Sequence, residues 1–229
     1  MSPPGIPFGI KETSRVSSRI CALAALVVLV SGCGSNLPKG TYVPVDSQTT
    51  RALQGGTVQL SAKPTPGFRH FTAGDQAAMT VGMLFGAIGG GIGAAAAIKH
   101  SENAGAALVA ENAIADPAPV LAEKVRELLA TKYGSAFGES NRNVTVAVDF
   151  WSLTKGGVVF GASVALSDAP AGVPNRKPLA LGQCRYRSAG GNAAPTEDQL
   201  LADHAEKLKA ELGSALDYCV DEFRRKLFP

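Results

Sequence analysis

The spacing of hydrophobic positions changes several times along the chain, and each change marks an element. From Thr57 to Lys63, Val58 and Leu60 alternate with polar neighbours until Pro64 stops the run, which predicts a short strand. Asp116-Pro117 supplies a helix cap and a first-turn proline. Val120, Leu121, Val125, Leu128 and Leu129 then fall on one helical face, and Tyr133-Gly134 brings the glycine that a helix C-terminus favours. Period two follows, with Val144, Val146, Val148 and Phe150 on one side of a strand and Thr145, Ala147, Asp149 and Trp151 on the other. Lys155-Gly156-Gly157 turns the chain, and Val158, Phe160, Ala162, Val164 and Leu166 repeat the alternation, predicting an antiparallel hairpin. A third run, Pro178 to Ser188, brings Ala180, Gly182, Cys184 and Tyr186 to one face. Thr196 and Gln199, in capping-box spacing, open an amphipathic helix of about 30 residues. Its stripe is Leu201, Ala205, Leu208, Leu212, Leu216, Cys219, Phe223 and Leu227, with Gly213 as the point where it would bend.

The order strand, helices, three strands, helix predicts an α+β fold. The expected form is a two-layer sandwich, with helices, including the long C-terminal one, on one face of a mostly antiparallel sheet. A single domain over residues 57–229 accounts for these elements. Residues 33–56 hold Pro38, Gly40, Pro44, Gly55 and Gly56 and read as a tether with one short extended piece at Tyr42–Val45.

Composition narrows the class without changing this outline. With 45% hydrophobic and 18% charged residues among 229, and no glycine or proline repeat, the chain is neither collagen-like, nor a heptad coiled coil, nor wholly disordered. The formal charge of +3 sits mostly at the start. Setting aside residues 1–32 removes Lys11, Arg15 and Arg19 against Glu12 alone and leaves 19 basic against 18 acidic side chains. That near-neutrality gives no support to a nucleic-acid partner.

After those basic residues comes an uncharged run from Ile20 to Val30. As a helix it spans roughly 16 Å, about half of a hydrocarbon core, which suits the apolar region of an export signal rather than a membrane span. Val30-Ser31-Gly32-Cys33 follows directly. This order of charge, apolar run, small residues and cysteine resembles the lipobox of bacterial lipoproteins. The resemblance implies cleavage between Gly32 and Cys33, removal of residues 1–32, and a diacylglycerol on the Cys33 thiol that anchors the chain in a membrane. Gly34 and Ser35, rather than aspartate, follow the cysteine; by analogy with sorting in diderm bacteria this implies the periplasmic side of the outer membrane. The remaining domain is similar in element order to small periplasmic lipoprotein domains, including those related to curli secretion, a fold-level likeness that transfers no function.

Cys21 would leave with the signal and Cys33 would carry lipid, so Cys184 and Cys219 remain. In an oxidising compartment they are expected to form a disulfide stapling the last helix to the sheet. The alternatives are buried free thiols or a metal pair, but two thiols with no nearby histidine make only half of a zinc site, and no metal is expected.

Residues 77–98 carry no charge. Gly82, Gly86 and Gly90 are spaced by four with Ala94 continuing the row, and Gly89 and Gly93 form a second row ending at Ala97. Such rows make grooves in which another backbone can approach closely, and they resemble the glycine zippers of envelope proteins, a helix-packing and oligomerisation device. Three readings are open: packing on the protein's own sheet, or a fold-back hairpin near Gly89-Gly90-Gly91; contact with the membrane or self-association; and a dinucleotide site. For the last, Gly91-Ile92-Gly93-Ala94-Ala95-Ala96 fits G-x-G-x-x-A, with Glu111 well placed beyond it, provided that a strand precedes the turn.

His70, His100 and His204 are far apart, and no nucleophile elbow, zinc-protease motif or P-loop is present. Asp149 beside Trp151 on the outward strand face is the one mild candidate for chemistry. The sequence therefore points to a non-catalytic, outer-membrane-anchored periplasmic lipoprotein without a cofactor, binding a protein or another envelope component. One alternative is a secretion or envelope-integrity component that oligomerises or inserts through its glycine zipper. Another is a periplasmic enzyme whose site no motif reveals.

Overall fold

The computed structural model describes residues 40–72, 74–75, 86–168, 178–188 and 195–229. In chain order the elements are β1 (Tyr42–Val43), α1 (Ser47–Leu53), β2 (Thr57–Ala62), β3 (Arg69–His70), α2 (Gly86–Asn112), α3 (Pro117–Tyr133), β4 (Ala136–Phe137), β5 (Asn143–Thr154), β6 (Gly157–Ser167), β7 (Ala180–Arg187) and α4 (Glu197–Glu222), closed by a π turn over Phe223–Leu227. The strands form one mixed sheet in the order β1-β7-β6-β5-β2-β4, with β3 also paired to β5. β5, β6, β7 and β1 pair antiparallel, while β2 and β3 run parallel to β5. Helices α3 and α4 cover one face. Val144, Val146 and Val148 of β5 and Phe160, Ala162, Val164 and Leu166 of β6 meet Leu121, Leu129, Leu208 and Ala215 in one buried core. The fold is α+β, as the order of elements predicts.

The segment read as a tether is built into this domain from Tyr42 onward. Asp46 caps α1 by accepting from the Thr49 amide at 2.7 Å, and Leu53 at the end of that helix is fully buried. Helix α3 has the expected limits, with the Asp116 carboxylate accepting from the Ala118 amide and Gly134 in the left-handed region at φ 65°. Val120, however, is exposed; the buried face runs through Ala118, Leu121, Val125, Leu128, Leu129 and Tyr133.

Strand β5 departs from simple alternation. Val148 pairs with Ala162 but Phe150 pairs with Gly161, so a bulge between them adds a residue. The bulge reverses the facing of everything after it. Trp151 and Leu153 turn into the core, and Phe150 lies over Gly161 on the opposite side. The Trp151 indole donates to the Pro66 carbonyl at 2.6 Å and packs edge-on against Phe68. Asp149 stays exposed and accepts from Ser163 at 2.9 Å. The sequence's pairing of Asp149 with Trp151 on one outward face therefore fails, because period two cannot register an inserted residue.

Helix α2 runs without interruption through Gly86, Gly89, Gly90 and Gly93 to Asn112; Gly82 lies outside the described residues. Continuous helix over 86–112 excludes both the fold-back hairpin at Gly89-Gly90-Gly91 and the strand–turn–helix that a dinucleotide fingerprint at Gly91–Ala96 requires. The row Gly89, Gly93, Ala97 continues through Ser101 to Gly105. Ala97 and Ser101 are buried, and Gly105 rests on the Phe68 peptide just before β3. This close backbone approach is made by Gly105, which lies beyond both rows picked out in the sequence.

Helix α4 begins with the expected capping box, Thr196 and Gln199 each bonding the other's backbone amide. Its break does not fall at Gly213. Ala202 is extended, and Asp203, His204 and Ala205 have φ of 53°, 56° and 58°. The break rotates the first turn so that Leu200, not Leu201, is fully buried beside Ala205 and Leu208. Burying one leucine contributes about 1.5–3 kcal/mol, which offsets part of a left-handed cost of roughly 1–2 kcal/mol per residue. Substituting His204→Gly is therefore expected to raise stability by about 1 kcal/mol, whereas glycine inside a regular helix lowers it by a similar amount. The sign of the shift in a urea midpoint decides between the two geometries. At the other end the π turn, with the Phe228 amide bonded to the Phe223 carbonyl at 2.9 Å, lets both Leu227 and Phe228 enter the core.

Candidate functional site

The face of β7 that carries Ala180, Gly182 and Cys184 meets α4. Cys184 and Cys219 form a disulfide with Cα atoms 5.4 Å apart, both sulfurs deep in the core. The pair is thereby committed to a cystine. Among the described residues no group of three or more histidine, cysteine, aspartate or glutamate side chains converges to hold a metal ion. Cys33 and Gly32 lie outside the described residues.

Beside this staple, β7 and α4 form a polar cluster. Tyr186 donates to Glu211 at 2.8 Å, Ser188 donates to the same oxygen at 3.0 Å, and the exposed Tyr218 ring packs 5.6 Å from that of Tyr186. Burial, reinforced by the Glu211 carboxylate, pushes the Tyr186 phenol up to about 12. Burial also raises Tyr133, and burial together with Glu222 raises Tyr42. An acid whose folded value lies above its unfolded one binds its proton more tightly when folded, so its contribution is complete below the unfolded value near 10 and falls away as pH rises further. Unfolding midpoints are expected to decline from about pH 10 upward, and Tyr186→Phe is expected to reduce that slope.

Helices α3 and α4 enclose an open groove of about 860 Å³ next to Tyr218. Lys124 and Asp217 pair in it at 2.7 Å, and Glu127, Lys132, Asp221 and Arg224 are its other charged lining residues. Three basic and three acidic side chains balance one another in this lining.

Two histidine–carboxylate pairs fasten the elements around β3. His70, mostly buried, stands 2.7 Å from Glu197 in the first turn of α4, and Arg69 holds Glu102 of α2 at 2.7 Å. His100 Nδ1 lies 2.8 Å from Asp75, whose other oxygen accepts from the Thr72 amide and hydroxyl at 2.9 and 2.8 Å. Burial alone would raise the Asp75 carboxyl, but the Thr72 donors and His100 outweigh it and hold the group below the ordinary aspartate range. His204 sits in the left-handed turn of α4, seven residues after Glu197, and belongs to neither pair. These contacts join segments separated widely in sequence and carry no spacing signal that could have revealed them.

At the β1 edge of the sheet, the Tyr42 hydroxyl donates to Glu222 at 3.4 Å, Arg225 donates to the same carboxylate at 2.8 Å, and Lys226 pairs with it as well. The Lys226 ammonium also stands 5.1 Å from the centre of the Tyr42 ring. From sequence, Arg224, Arg225 and Lys226 read only as favourable charges at a helix C-terminus. Their meeting with Tyr42 depends on tertiary structure.

No family model matches this chain, and no curated protein matches it. Among solved structures, a PelC dodecamer from Paraburkholderia phytofirmans is similar at 15% identity, covering 78% of this chain and 95% of that one with a TM-score of 0.28. Agreement at that level bears on neither fold nor function.

Proposed function

We propose that this chain is a lipoprotein held by acyl chains on Cys33 at the periplasmic face of the outer membrane, and that its α+β domain is a non-catalytic module binding a protein or another envelope component. The observation that carries this reading is the ordered run of basic residues, the apolar stretch Ile20–Val30 and Val30-Ser31-Gly32-Cys33. The Cys184–Cys219 cystine suits the oxidising compartment that such a signal leads to. Two or three acyl chains anchor a protein far more firmly than the marginal hold of one. The groove between α3 and α4, with Tyr218 exposed beside its Lys124–Asp217 pair, is the surface offered to a partner: an amphipathic ring flanked by both charge signs.

Intact-mass measurement of protein purified from the native envelope tests the anchor. The expected result is a chain beginning at Cys33 with a diacylglyceryl adduct, and a Cys33→Ala form that no longer sediments with membranes. Retention of residues 1–32 with no acyl adduct would overturn the reading. For the groove, Tyr218→Ala is expected to abolish crosslinking of an envelope protein to a photoreactive residue at Thr131 while the melting temperature stays unchanged.

A further inference from the structure

We infer that the β1 edge of the domain is a membrane-apposed surface whose partner is the anionic head-group layer of a lipid bilayer; the inference rests on the anchoring reading above and adds an orientation to it. The first support is chain length. The stretch from Cys33 to Gly40 reaches at most about 25 Å even when fully extended, whereas a domain of about 190 residues has a radius of gyration of roughly 16 Å and a diameter well beyond that reach. Gly40 leads directly into β1, which pairs only with β7 on the described sheet. An acylated Cys33 therefore cannot leave this edge at the far side of the domain from the bilayer.

The second support is the chemistry displayed there. Val43 lies opposite Leu181, and Leu179 precedes Leu181 by two residues along an extended segment whose amide still bonds the Leu166 carbonyl at 2.8 Å. Period two places Val43, Leu179 and Leu181 on the sheet face opposite Ala180, Gly182 and Cys184, and so away from α4. Val43 is 47% and Leu179 41% exposed, two of the most exposed large apolar side chains among the described residues. On the other side of the same edge stand Arg225 and Lys226, with side chains 60% and 46% exposed; both pair with Glu222, which leaves one net positive charge among the three, and Lys226 is set over the Tyr42 ring. Aliphatic side chains bordered by an aromatic ring and by cations on long stems match the layered polarity of a bilayer interface, where apolar groups sink and ammonium or guanidinium groups reach phosphate.

The test uses the full-length, natively processed protein reconstituted into vesicles of phosphatidylethanolamine and phosphatidylglycerol. A photoreactive diazirine residue replaces Val43, Leu179 or, as control, Lys155 at the β5–β6 turn, which lies beyond the far end of β6, roughly 26 Å along that strand from Ala165, the partner of Leu181. Positions 43 and 179 are expected to give at least tenfold more phospholipid adduct than position 155. Arg225→Gln combined with Lys226→Gln is expected to lower the yield at 43 at least threefold in these vesicles. Equal lipid adduct at all three positions, or adducts at 43 that are mainly to protein, would overturn the inference. The mass of the same preparation separates the two claims: an acylated Cys33 with uniform labelling rejects only the orientation, while a chain without an acyl adduct rejects the anchor and the orientation with it.

Discussion

Replacing Gly105 with valine is expected to lower the stability of the domain by about 3 kcal/mol or more and to shift the emission of Trp151 to the red. A Cβ at this position would stand 2.6 Å from the Phe68 carbonyl carbon, nearer still to its oxygen, and 3.0 Å from the Arg69 Cα. All three neighbours are backbone, so no rotamer change relieves the overlap. Either α2 lifts from β3 or the Phe68–Arg69 peptide moves. In both cases Phe68 loses its edge contact with Trp151, and the Pro66 carbonyl that accepts the indole proton is displaced. Because Trp151 is the only tryptophan in the chain, its fluorescence reports this seam directly. For a domain of this size, 3 kcal/mol corresponds to a fall of roughly 6–12 °C in melting temperature. Even Gly105→Ala should be costly, since the Cβ itself makes the clash. A melt unchanged by Gly105→Val would mean that α2 does not sit on β3 as described.

Removing the disulfide should have a comparable effect by another route. Cys184 and Cys219 are 35 residues apart in sequence. Freeing that loop in the unfolded chain lowers stability by about 3–4 kcal/mol in the chain-entropy treatment, with the melting temperature falling by roughly 6–16 °C. A Cys184→Ala, Cys219→Ala double variant is expected to show this loss in full and then to ignore reducing agent, while the native protein in reducing agent should approach the same midpoint. Most of the effect resides in the unfolded state, so the structure around Leu216 and Ala162 should survive below the new midpoint. The loss should also fall on the attachment of α4, because β5, β6 and β7 keep their ladder without the sulfur bridge. Equal melting temperatures with and without the bridge would mean that the reduced chain is already constrained by other contacts.

The local chemistry of the sequence determined much of this molecule. Cap and stop signals set both ends of α3 and the start of α4, where the deciding bonds span only two to four residues. Alternation over β6 and β7 named their buried faces, and the 3.6-residue stripe put Cys219 on the side of α4 that meets Cys184. The signal-like order of charge, apolar run and lipobox-like tetrapeptide is likewise a local pattern, and the anchoring proposal rests on it alone. Tertiary structure decided the rest. The bulge that turns Trp151 inward is set by pairing with β6, and the left-handed break at Asp203–Ala205 by burial of Leu200. The seat of Gly105 on Phe68, between α2 and the start of β3, was named by no spacing in the sequence. The β1 edge joins Tyr42 to Glu222 and Lys226 across most of the chain. Periodicity and capping act within one element, where neighbouring residues fix geometry. Which surface a groove, a row of small side chains or a pair of charges meets is settled by the packing of distant segments, and no local pattern encodes that.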